Sequence, residues 1–200
     1  MSIHIIGDSH AGCFSGPDWI TTWWLGAATA FNLWKKNDVV QEVLSKVPKT
    51  DEIYFCFGEI DSRIHIYKSF KQSAVAPIGF FTDITAYTYV RYINTLKYDR
   101  LINVMAIPPQ GTQENIYDYE HYADRQLRQQ FTDGLNFNIA DLCLEYGIPF
   151  VDIWETKWDN LLKKNENALW PEDEFKEDNC HIRNELAIGY LTQWMKENSK

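Results

Sequence analysis

Short, almost unbroken apolar runs alternate along the chain with longer stretches in which apolar residues recur every three or four positions. Ile3-His4-Ile5-Ile6, Ile53-Tyr54-Phe55-Cys56-Phe57, Leu101–Ile107 and Ile148–Trp154 have the length and continuity of strands buried on both faces of a parallel sheet. Trp19–Ala28 predicts a further strand or a loop leading to one, with Gly26 near its end.

Between these runs the period changes to that of helices. Asn32–Lys36 predicts one short turn. Val39–Val47 predicts a helix through Val40, Val43, Leu44 and Val47, capped by Asp38 and stopped by Pro48. Thr82–Arg100 and Tyr117–Tyr146 predict two long helices, the second closed by Gly147. A charged, irregular segment, Trp158–Lys176, precedes a closing helix from about Asn184 to Lys196. Strands separated by helical runs predict an α/β fold with a short parallel sheet covered on both faces and joined by right-handed crossovers.

Composition narrows the partners. Two hundred residues, 45% of them hydrophobic, with no repeat and no low-complexity linker, predict a single domain over 1–200. An excess of 28 acidic over 19 basic residues gives a net charge of −9, which disfavours nucleic acid and anionic lipid as partners. The longest greasy stretch, Trp19–Phe31, is interrupted by three threonines and too short to span a bilayer. A first strand that starts at once, with no basic and apolar leader, predicts a cytoplasmic, unexported protein. Four dispersed cysteines without a Cys-x-x-Cys pair predict free thiols, and five scattered histidines without paired ligand spacing predict no metal or cofactor. Aromatic residues reach 15%, which fits either a ring-rich core or a surface that stacks on sugars and acyl groups.

The first strand runs directly into Gly7-Asp8-Ser9-His10. A serine at the tip of a strand, on a turn that glycine permits, is rigidly held and open to substrate, so Ser9 is the candidate nucleophile; it would equally serve as a helix cap. A serine hydroxyl reacts only when a base withdraws its proton. Asp178 and His181 stand three apart near the end of the chain, a spacing that lets the carboxylate orient the imidazole while the ring's other nitrogen serves Ser9. The polar stretch Gly58-Glu59-Ile60-Asp61-Ser62-Arg63 follows a buried strand, where open α/β sheets place ligands; a structural ion-pair network is its simpler reading. His10, Gly58, Glu59 and Asp61 are the candidate substrate-binding residues, and His4, alternating with apolar residues, is a core position.

This arrangement resembles the SGNH hydrolases, also called the GDSL esterase and lipase superfamily. Gly7-Asp8-Ser9 resembles the nucleophile block, Gly26 and Gly58 the second- and third-block glycines, and Asp178 with His181 the last block, in the family's chain order and over nearly the whole sequence. The resemblance implies a flavodoxin-like three-layer α/β/α sandwich. It also implies a serine esterase or acyltransferase acting on a small-molecule or glycan ester, with backbone donors at Ser9 and Gly26 binding the oxyanion.

One block departs from the family. Its usual third-block asparagine donates to the oxyanion, whereas Ile60 stands here, and loss of one such donor typically costs about 10²–10³-fold in rate. Arg63 is the candidate replacement, paired with and aimed by Glu59; the run Phe-Gly-Glu-Ile-Asp-x-Arg is similar to that of a subgroup of the family. The rival reading is a non-catalytic glycan- or ligand-binding module on the same scaffold.

Overall fold

The computed structural model of the protein describes residues 2–111, 123–154, 176 and 180–198. Five strands, β1 (Ile3–Gly7), β2 (Ile20–Trp24), β3 (Glu52–Cys56), β4 (Leu101–Met105) and β5 (Phe150–Val151), form one wholly parallel sheet in the order β2-β1-β3-β4-β5. The helices are α1 (Asn37–Lys46), α2 (Ile66–Gln72), α3 (Ile78–Leu96), α4 (Arg125–Tyr146) and α5 (Asn184–Asn198).

Because successive strand residues point to opposite faces, the sheet divides the core in two. On one face Ile6, Ile53, Phe55, Ile102 and Val104 pack with apolar residues of α1 to α4, among them Val40, Ile66, Val90 and Leu135. On the other, Ile3, Ile5, Tyr54, Cys56 and Met105 meet Phe14 and the Ala187 and Leu191 positions of α5. The result is the expected three-layer α/β/α sandwich. His4 is buried and satisfied, with Nδ1 accepting from the Trp23 indole at 3.1 Å and Nε2 on Asp51 at 3.3 Å.

Several boundaries move for local reasons. Helix α1 begins at Asn37, so Asp38 lies in its first turn rather than capping it, where its charge still favours the positive end of the helix dipole. Helix α3 begins four residues before Thr82 because the extended Pro77 provides the entry. Asp124 caps α4 by accepting from the Leu127 N–H at 2.8 Å, and Gly147 closes it in the left-handed conformation. The strand expected over Ile148–Trp154 keeps only two paired residues, since β5 has only β4 beside it. All four cysteines are buried and outside any disulfide, and no helix among the described residues is long and apolar enough to cross a membrane.

Gly58, which follows β3, fixes how that strand turns into the next segment. Its φ is +117°, and a Cβ there would lie 2.5 Å from Cδ1 of Ile107. Gly58→Ala therefore combines backbone strain with overpacking and is expected to cost about 2–4 kcal/mol, read as a lower urea midpoint. A loss below about 0.5 kcal/mol would mean that Ile107 has room to move.

Candidate active site

In the order β2-β1-β3-β4-β5 the chain departs in opposite directions from β1 and β3, which opens a crevice at the carboxyl ends of those two strands. Gly7 ends β1 there because the backbones crowd together: a Cβ on it would sit 2.5 Å from the Cys56 carbonyl oxygen and 2.9 Å from Cβ of Ala11. The chain then folds into a 3-10 turn, Ser9–Phe14, started by the Asp8 carboxylate, which accepts from the His10 N–H at 2.9 Å. Ser9 opens the turn and is half-buried. The Leu25 N–H donates to the Gly7 carbonyl at 2.9 Å and so places Gly26 beside the same turn. Neither the Ser9 nor the Gly26 N–H meets an acceptor among the described residues.

Behind Ser9 lies a buried charged network. His10 is only 2% exposed; its Nδ1 lies 3.3 Å from Asp8 Oδ1 and 3.8 Å from Glu59 Oε2, and its Nε2 lies 3.3 Å from the Cys180 carbonyl oxygen. Burial on its own would lower the His10 pKa, but the Glu59 charge and the hydrogen bonds to Asp8 and Cys180 outweigh it and hold the pKa well above the ordinary histidine value. These influences favour the charged form of His10, whose buried ring packs beneath the Ser9 turn.

Glu59 and Arg63 lie one helical turn apart on the segment that follows β3. Asp61–His65 is a π-helical turn that leads into α2. Glu59 Oε1 and Arg63 Nε are 2.9 Å apart, an ion pair by distance without the alignment of a hydrogen bond. Arg63 also donates through Nη1 to the Cys180 Sγ at 3.3 Å. Glu59 therefore bridges His10 and Arg63, and Arg63 reaches the carboxyl-terminal segment. Ile60 carries no donor.

Asp61 faces a different partner. It is 1% exposed and accepts from the Ala30 N–H at 2.7 Å and the Phe31 N–H at 3.4 Å, tying the loop after β2 to the segment after β3. Burial pushes its pKa up to about 7 against the pull of those backbone donors.

The carboxyl-terminal segment closes over the same end of the sheet. The His181 ring lies 4.5 Å from the His10 ring, centroid to centroid, and Asn184 at the start of α5 donates to the carbonyl and hydroxyl oxygens of Ser15 at 3.2 and 3.1 Å. Residues 181 and 10, far apart in sequence, are thereby neighbours. Asp178 lies outside the described residues. Pro108 lines a small recess with His10, Cys56 and Trp154, so the turn after β4 borders the site too.

Sequence reasoning named neither Asp8 nor Cys180 among the catalytic or binding residues, and the structure makes both central to the network. The Asp-x-His spacing in a turn was a signal for Asp8; for Cys180 there was none, since its role uses a carbonyl and a distant arginine. Paired spacing also missed that His10, Cys180 and His181 bring ligand-type atoms within 4.8 Å of one another. That set has the chemistry to hold a soft divalent ion, although here His10 is engaged by Asp8 and Cys180 by Arg63.

No protein-family model and no curated protein matches the sequence. Solved structures do match. A GDSL-like lipase from Bacteroides thetaiotaomicron superposes with a TM-score of 0.62 at 14% identity, over 98% of this chain and 88% of that one. A catalytic mutant of an acetylxylan esterase from Geobacillus stearothermophilus gives 0.60 at 14% identity, over 97% and 93%. A member of the lipolytic G-D-S-L family from Veillonella parvula gives 0.57 at 11% identity, over 100% and 98%. The chain has the α/β fold of the GDSL hydrolases that its sequence resembles.

Proposed function

We propose that this protein is a serine esterase or acyltransferase of the SGNH type, acting on a small or carbohydrate ester through an acyl-enzyme on Ser9. The observation that carries the reading is the packing of His181 against His10, which brings a histidine from the end of the chain to the residue following a serine at the β1/β3 switch point. Shared fold with GDSL lipases and acetylxylan esterases supports it.

In this mechanism the Ser9 oxygen bonds to the ester carbonyl carbon as its proton passes to His181. The carbonyl π electrons move onto oxygen, which the Ser9 and Gly26 N–H groups receive. Collapse of the tetrahedral intermediate breaks the bond to the alkoxy oxygen, and His181 returns the proton to the departing alcohol. Water or a sugar hydroxyl then repeats the sequence on the acyl-enzyme. Asp178 orients His181 and stabilises its cation. Glu59 and Gly58 shape the floor of the site, and Arg63, held by Glu59, supplies positive charge where Ile60 supplies no donor.

A fluorophosphonate probe tests the reading directly. Intact protein is expected to gain one adduct, carried by Ser9; no adduct, or one on another residue, overturns it. Ile60 favours the second reading, a ligand-binding module without turnover, and retained ligand binding with no hydrolysis of any acetyl or short-acyl ester would establish that one instead.

A further inference from the structure

Beside the proposed centre lies a second concavity, about 340 Å³, between the turn after β2, the Asp61–Ser69 segment and the amino-terminal half of α3. Its volume is in the range of small-molecule sites, about 300–1,000 Å³. Both segments that wall it lead away from the carboxyl-terminal end of the sheet that carries Ser9. The first begins at Gly26, and the second continues from Glu59, which lies 3.8 Å from His10. Asp61 bridges the two through the Ala30 and Phe31 N–H groups, so the walls are fixed relative to each other.

The lining is of two kinds. Phe31, Phe80, Phe81 and Ile84 form apolar walls, and Phe80 meets Phe81 edge-on at 5.5 Å, 83° between planes. Phe31 and Phe80 remain exposed at the rim, where a packed core would have covered them. Asn32, Asp61, His65 and Ser69 add polar groups, and the Asn32 side-chain oxygen is buried with no hydrogen-bond partner among the described residues. No lysine or arginine lines the cavity among the described residues. Partial desolvation and nearby Lys68 lower the His65 pKa, so His65 brings no charge at neutral pH.

We propose that this cavity is the subsite for the alcohol part of the ester and that it takes an uncharged, hydroxylated ring of the pyranose class. Aromatic walls complement the flat C–H faces of such a ring, and the amide, imidazole and hydroxyl groups meet its equatorial hydroxyls. An acyl chain would leave Asn32 and Ser69 desolvated without partners, and an anionic ligand would find no cation. The subsite's part in turnover rests on the esterase reading above; its occupancy does not.

Two measurements separate those claims. Acetylated methyl glucopyranoside and ethyl acetate share the acyl group and differ in the ring. Phe80→Ala, at the exposed rim, is expected to lower the kcat/KM ratio of the first ester over the second about tenfold, mainly through KM. Asn32→Leu is expected to act in the same direction. Saturation-transfer NMR with methyl glucopyranoside itself, which is not turned over, is expected to show contact with the wild type and to lose it in Phe80→Ala. An unchanged ratio, unchanged NMR contact in the variants, or a selective loss on octanoyl over acetyl esters overturns the proposal. If neither ester is hydrolysed while the Phe80-dependent contact remains, the esterase reading falls and the ring subsite stands.

Discussion

Replacing Ser9 with alanine is expected to lower turnover of a small acetyl ester by about 10³-fold or more, with KM little changed. The size of the loss follows from the absence, among the described residues, of a substitute nucleophile at this end of the sheet. Ser62 is buried and its hydroxyl donates to the Gly58 carbonyl at 3.1 Å, so it faces its own backbone. The Cys56 thiol is held protonated, since burial and the nearby Asp8 push its pKa upward, and a buried thiol of that kind is inert. Cys180 has its sulfur against Arg63 and its carbonyl against His10. Under the proposed mechanism, what remains after Ser9→Ala is the catalysis that binding and the backbone amides of residues 9 and 26 supply to attack by water. The wild-type rate already lacks the contribution of a third-block asparagine, so the gap between wild type and variant is smaller than in a fully equipped hydrolase. Steady-state kinetics on purified protein decide the matter: a variant retaining more than about a tenth of the rate would move the nucleophile elsewhere.

The parts of this molecule that sequence made legible are those governed by burial. Ile3–Ile6, Ile53–Phe57 and Leu101–Ile107 are almost unbroken apolar runs because a central parallel strand is covered on both faces, and β1, β3 and β4 lie within or overlap them. Gly147 was legible as a cap because a left-handed residue after a helix has few alternatives. The segment Asp61–Gln72 was not read as helical, since Arg63-Ile64-His65-Ile66 alternates polar and apolar residues with the period of a strand and Ile66 is the only apolar side chain there that is fully buried. At the site, Ser9, Glu59 and Arg63 could be nominated from strand ends, and Gly26 through the resemblance to the SGNH family. The connection of His10 to Cys180 and His181 could not, because it spans about 170 positions and is made by tertiary packing. The exposed phenylalanines of the second cavity were hidden for a related reason: an abundance of rings does not say which rings the fold leaves at a rim.

Removing the Glu59 carboxylate is expected to have the largest effect on stability. Glu59 is 2% exposed and faces the Arg63 guanidinium at 2.9 Å and the His10 ring at 3.8 Å. Glu59→Ala leaves a buried guanidinium without this anion, and breaking a buried pair in this way costs about 3–5 kcal/mol, which urea unfolding will read. Glu59→Gln keeps the shape and removes the charge, so it isolates the electrostatic part through pH. A histidine whose folded pKa is raised binds its proton more tightly in the native state, so its stabilisation is complete below the unfolded value of about 6.5 and is lost as pH rises through the folded value. Wild-type stability should therefore decline as pH rises above the unfolded histidine value of about 6.5, where the unfolded chain has lost a proton that folded His10 keeps. Asp61, raised to about 7, changes stability in the same sense, but its window opens near the unfolded aspartate value of about 4 and closes near 7, below the one that reports His10. In Glu59→Gln the principal influence raising the His10 pKa is gone, leaving Asp8 and Cys180 to oppose burial, and the decline should flatten as the His10 titration moves down. Unfolding free energies between about pH 7 and pH 9, with the His10 ring followed by NMR, give both readouts. An unchanged slope with an unchanged His10 titration would separate His10 from Glu59 and leave the carboxylate with Arg63 alone.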